Sequence, residues 1–194
     1  MPLGFLRRKK NEPHGGEPAP QAGSATDGPE GPGVPFDGLT EDWRLVGRMH
    51  VQGRLSDALN RREHIQISDV SWAPIDGSRG LEPAPGLRTI DPYDLIAVLA
   101  GPQTDAQSDT ERQAHRIRKV PYEVGLEVPP FRVIGTVHLH SGESPDRLVE
   151  QGSEMFVPLT GAVAYLDGHP VADPGIEVVL VNRLYIRGVE ATGR

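Results

Sequence analysis

The stretch Gly47–Gly77, GRMHVQGRLSDALNRREHIQISDVSWAPIDG, decides how the rest of the chain is read. From just upstream, Trp43, Leu45, Gly47, Met49 and Val51 alternate with Arg44, Arg48, His50 and Gln52, the period-two pattern of a half-buried strand. Arg54–Asn60 follows, with Leu55 and Leu59 four apart on one helical face. A turn this short persists only when packed, so it is expected to plug the open end of a sheet. Ile65, Ile67, Val70, Trp72 and Ile75 then supply a second strand. Its apolar parity changes between Ile67 and Val70, which predicts a bulge near Ser68-Asp69. Asp76-Gly77 closes the strand with a tight-turn signal.

The chain writes this pattern again at Gly135–Gly168, GTVHLHSGESPDRLVEQGSEMFVPLTGAVAYLDG. Phe131, Val133 and Gly135 fall where Trp43, Leu45 and Gly47 fell, and His138 matches His50. Asp146 and Leu148 match Asp57 and Leu59, with Ser144-Pro145 offering an N-cap and a first-turn proline. Phe156, Val163 and Leu166 match Ile65, Trp72 and Ile75, and Asp167-Gly168 matches Asp76-Gly77. Asp173-Pro174 matches Asp91-Pro92 and sets Val178–Val181 against Ile96–Leu99, while Ile186–Val189 matches Ile117–Val120. On this alignment Leu95–Ala100 is a strand buried on both faces; its rival is a helix starting at the Asp91 cap and Pro92. The pattern reads as an internal duplication. The alternative is two neighbouring meanders that look alike because turn chemistry offers few choices.

Composition bounds what these units do. Residues 1–36 hold seven prolines and seven glycines and little that is aromatic or β-branched, so they read as a disordered tail. Removing those 36 from 194 leaves a body of 158 residues, a size that buries roughly 68–70% of its unfolded surface without staples. Cysteine is absent, which excludes disulfides, thiolate metal sites and a cysteine nucleophile. The formal charge of −7 belongs wholly to the body, because Arg7, Arg8, Lys9 and Lys10 offset Glu12, Glu17, Asp27 and Glu30 in the tail. An acidic body is the wrong sign for binding nucleic acid. No run of 18 apolar residues exists to span a membrane. The opening MPLGFLRRKK places its bases after a short apolar patch, the reverse of a secretory signal. It suits a solvated start or a weak contact with an anionic surface.

The expected fold is therefore mainly β: two related small β-barrel or sheet units, each with one short helical turn, behind the disordered tail. The boundaries are 1–36 for the tail, 37–120 for the first unit, 121–130 for a connecting strand and 131–194 for the second unit. The strand Gly47-Arg-Met-His50 followed by Arg54-Leu-Ser-Asp-Ala-Leu-Asn60 resembles an uncharacterised bacterial β-domain family, over roughly residues 47–70. The resemblance implies a bacterial β-domain and carries over no catalytic role.

Histidine offers the main constellation for chemistry. His138 and His140 are two apart on a strand and share a face, and His50 holds the matching place in the first unit. If the units packed symmetrically, these three with Asp57 or Asp146 could form a divalent-metal site. The opposing reading is an ordinary solvent face, since Arg48, Gln52 and Thr136 share it. Ser56 beside Asp57 reads as a helix cap; no G-x-S-x-G elbow and no phosphate-binding loop occurs. Asp57 and Asp146 are expected to bond backbone N–H groups of their own turns. Arg54, Arg61 and Arg62 make the first turn basic on an acidic body.

No catalytic residue and no cofactor is assigned. The expected function is a non-enzymatic bacterial binding or scaffold module that uses strand edges and the 54–62 turn, with Arg54, Asp57, Arg61 and Arg62 as contacts to a protein partner. One alternative is a metal- or small-ligand-binding enzyme built on His50, His138 and His140. Another is a peripheral membrane protein held by residues 1–10. The expected location is cytoplasmic, with the inner membrane face as the peripheral variant.

Overall fold

The computed structural model describes residues 33–100, 119–150, 153–171 and 178–191. The protein is mainly β. Its first half contains β1 (Val34–Leu39), β2 (Trp43–His50), α1 (Leu55–Asn60), β3 (Ile65–Pro74), β4 (Glu82–Pro83), β5 (Thr89–Ile90) and β6 (Ala97–Ala100). The second contains β7 (Lys119–Val128), β8 (Phe131–His140), β9 (Phe156–Leu166), β10 (His169–Pro170), β11 (Val178–Asn182) and β12 (Gly188–Ala191). Short 3-10 turns lie at Pro92–Asp94, Pro145–Leu148 and Arg183–Tyr185. Among the described residues no helix is long and apolar enough to cross a membrane. The basic start at Arg7–Lys10 lies outside the described residues.

All twelve strands join one antiparallel sheet in the order β12-β7-β8-β9-β11-β6-β1-β2-β3-β4, with β10 added to β9 and β5 to β3. The sheet is open, β12 and β4 forming its ends, so the strands do not close into separate barrels. What continues the sheet from one half to the other is the β6–β11 ladder, in which Val98 faces Leu180 and Leu99 faces Val179. Two apolar clusters lie on its opposite faces. One gathers Phe36, Leu45, Met49, Leu59 and Ile67 of the first half with Met155, Phe156 and Leu180 of the second. The other gathers Val124, Leu126, Phe131, Val133 and Leu159 of the second half with Leu39, Ala97 and Leu99 of the first. Alternate residues of β6 and β11 therefore point into different cores, which is why both strands are apolar at nearly every position.

The halves share one hydrogen-bond register. Phe36 pairs with Gly47 as Val124 pairs with Gly135. Arg48 pairs with Ser68 as Thr136 pairs with Thr160. Ile65 pairs with Ile90 as Val157 pairs with Val181, and Leu39 with Ala97 as Glu127 with Gly188. Both β2–β3 and β8–β9 shift register at the glycine, between Val46 and Arg48 and between Ile134 and Thr136. The bulged strand takes a left-handed residue at each place, Asp69 (φ 52°) and Gly161 (φ 55°).

Three features differ from the sequence reading. Order reaches back to Val34, inside the stretch assigned to the tail: β1 forms despite Pro35 and Gly38 because it pairs with β2 along its length and with β6 at Asp37–Leu39. Pro35 lies on the part that β6 does not reach, where a missing N–H is tolerated. At Asp91-Pro92 both rival readings hold in part, since Asp91 caps a 3-10 turn by accepting from Tyr93 N and strand β6 follows. Finally, β12 pairs with β7 in the register that β6 keeps with β1, and β11 pairs with β9 in the register that β5 keeps with β3, whereas the sequence alignment set Val178–Val181 against Ile96–Leu99.

Candidate functional site

The helix α1 connects β2 to β3 and is held by its apolar face, Leu55, Ala58 and Leu59 all being buried in the first-half cluster. Its N-cap is Arg54, which makes no side-chain cap bond; Ser56 lies inside the helix and is not the cap. Asn60, at the last turn, reaches across to the second half. Its Oδ1 accepts from the Phe156 N–H at 2.7 Å, and its Nδ2 donates to the Phe156 carbonyl at 3.5 Å. Arg62, in the left-handed region at φ 62°, extends this seam by donating Nη2–H to the Ser153 carbonyl at 3.1 Å.

Facing α1, the end of β8 and the turn after it form the opposite wall. His138 Nε2 lies 3.1 Å from Thr160 Oγ1, and the His140 N–H donates to Glu143 Oε2 at 2.8 Å. Ser144 caps the 3-10 turn by accepting from Asp146 N, and its hydroxyl donates to Asp146 Oδ2 at 3.0 Å. The Asp146 carboxylate thus accepts from the Ser144 hydroxyl and not, as expected, from a backbone N–H of its turn; Ser144 Oγ takes that N–H instead.

Between these walls runs a groove of about 530 Å³. Arg54, Ser56, Asp57 and Asn60 line one side, and His138, His140 and Glu143 the other. Arg183 also lines it: its Nη1 donates to the carbonyls of Arg147 and Glu150, each at 3.3 Å, while its Nε is buried without a partner. Burial pulls the Arg183 pKa below the usual guanidinium value, and the charges of Glu154 and Glu143 oppose that shift. The groove thus carries both signs of charge, and hydrogen-bond donors and acceptors on both walls.

The structure gathers part of the sequence-predicted set. Arg54, Asp57, His138 and His140 share the groove. Arg61 lies elsewhere, in a hollow of about 190 Å³ with His50 and His64. His50 is engaged by Ser68, Nε2 to Oγ at 2.9 Å, over its own strand pair. His50, His138 and His140 therefore do not meet, and no group of three or more His, Cys, Asp or Glu side chains is arranged to hold a metal among the described residues. The His–hydroxyl contact recurs because His50–Ser68 and His138–Thr160 occupy corresponding register positions; it marks the fold.

No family model, curated protein or solved structure matches the chain. The site is read from its geometry.

Sequence reasoning passed over Asn60 and Arg183. For Asn60 a signal existed: it is a polar residue directly after the buried Leu59, and the second turn has Val149 after Leu148. Arg183 had none, since its position depends on the 3-10 turn that follows β11 and on the carbonyls of a distant segment.

Proposed function

We propose that the chain is a non-enzymatic binding module made of two copies of one unit, whose ligand is an extended polypeptide segment seated in the groove between α1 and the β8–β9 ladder. The observation that carries this reading is the convergence of Arg54, Asp57, His138 and His140, drawn from both halves, around an open polar groove of about 530 Å³. A peptide backbone presents a donor and an acceptor at every residue, and a groove furnished with both suits it better than it suits a ligand of one charge. The shared register, the paired bulges at Gly47 and Gly135 and the repeated His–hydroxyl contact support the duplication. Duplication also accounts for where the groove lies: Asn60 and Arg62 bind the second half at positions where the copies have diverged.

The test is a titration of ¹⁵N-labelled protein with short acidic, basic and neutral peptides. Saturable amide shifts confined to the groove are expected for at least one class. Where the acidic class binds, Arg54→Glu should weaken it by about tenfold or more, near 1.4 kcal/mol, and where the basic class binds the same exchange should tighten it. Groove amides that stay unmoved by every class at millimolar peptide would sink the reading.

A further inference from the structure

Within the chain, the first half offers the edge of β6 to β11 of the second. Leu99 faces Val179, Val98 faces Leu180 and Ala97 faces Val181. By register, β12 is the counterpart of β6 and β5 the counterpart of β11. Each chain therefore carries the same two kinds of edge a second time. Among the described residues β12 is bonded only to β7 and β5 only to β3.

Carrying the β6–β11 register over to those two edges gives a specific pairing. Glu190, the counterpart of Leu99, falls opposite Arg88, the counterpart of Val179. Val189 falls opposite Thr89, and Gly188 opposite Ile90. Arg88 and Glu190 are both exposed, and an acid faces a base where the internal ladder has two apolar side chains. Glu190 is already oriented on its strand, because Arg132 Nη2 lies 2.6 Å from its Oε2 while Arg132 Nη1 lies 3.4 Å from Glu127. Opposite charges directly across an antiparallel pair are stabilising, and like charges there are destabilising.

We infer that the outer edge of β12 takes β5 of a second copy of this chain, antiparallel, with Glu190 facing Arg88 of that copy. The contact is head-to-tail, so two copies that exchange both edges close a ring and copies that do not grow an open array. With only a few residues in each edge, the association is weak and depends on concentration. It rests on the shared register and stands apart from the groove.

Sedimentation equilibrium of the full chain over a concentration series tests it. Reversible association is expected. Glu190→Arg and Arg88→Glu should each weaken it about tenfold or more, and the double exchange should restore it toward the wild-type constant. Glu190→Arg also disturbs Arg132, but Arg88→Glu does not touch that pair, and thermal melting of each variant separates loss of folding from loss of contact. A monomer at every concentration would overturn the inference. So would association indifferent to both single exchanges, or a folded double exchange that fails to recover.

Discussion

Gly135 occupies a point where two strands come too close for any side chain. A Cβ there would lie 2.6 Å from Ala162 Cβ and 2.9 Å from its Cα. At Gly47 the obstacles are the Ser68 carbonyl oxygen at 2.9 Å and Val70 Cγ2 at 3.1 Å. The nearest obstructing atoms, Ala162 Cβ and Cα at one glycine and the Ser68 carbonyl oxygen at the other, cannot be moved by any rotamer change, so the bulge itself would have to shift. Gly135→Ala should therefore cost about 1–3 kcal/mol, the range for forcing extra volume into a packed site. A lowered urea midpoint with unchanged slope is the expected result, and an unchanged midpoint would show that the bulge yields freely. Asn182 is the one fully buried polar side chain among the described residues. Its Nδ2 donates to the Leu95 carbonyl at 2.8 Å, and its Oδ1 accepts from the Leu184 N–H at 3.1 Å. Asn182→Leu strands the Leu95 carbonyl in the interior, where an unsatisfied group costs about 1–3 kcal/mol.

At the scale of elements, α1 is fastened to the second half by Asn60 more than by its own turn. Asn60→Ala removes the acceptor of the Phe156 N–H and should destabilise the protein by about 1–3 kcal/mol. Hydrogen exchange at the Phe156 amide should speed up by more than exchange in the middle of β2, because the opening is local. Equal acceleration at both would mean that α1 does not hold the seam. Much of this architecture was legible in the chain: β2, α1 and β3 follow from periodicity, the bulge from a parity change, and the second helical turn from Ser144-Pro145. What escaped has a common cause. VPFDGL has no alternation to read, since β1 owes its order to two neighbouring strands distant in sequence. The β6 and β11 segments look equivalent because each is wedged between two cores, and burial on both faces selects the same residues whatever the strand's place in its unit. The groove was half visible for the same reason. Asp57 and His138 announced themselves as polar residues at repeated places, Arg54 as part of the basic cluster of its turn and His140 as the second histidine on one strand face, whereas Arg183 depends on contacts that no local pattern encodes.

On the scale of the whole molecule, the two cores are not independent. β6 and β11 contribute alternate side chains to both, and Met155, Phe156 and Leu180 complete the first-half cluster from the second half. Unfolding either half would strip the other of part of its core, so the described body should lose its structure in a single transition. The tryptophans allow this to be checked. The chain has two, Trp43 and Trp72, stacked with ring centroids 4.6 Å apart, and both belong to the first half. Their fluorescence therefore reports the first half alone, while far-UV circular dichroism reports all strands. Leu126 is fully buried in the second-half cluster, and Leu126→Ala should cost about 2–5 kcal/mol through lost contacts and the cavity it leaves. If the halves are coupled through β6–β11, the fluorescence midpoint in urea falls by the same amount as the dichroism midpoint, although the mutated residue lies in the other half. Were the halves separate folding units, the tryptophan transition would stay where it is in the unmodified protein and only the dichroism curve would split into two.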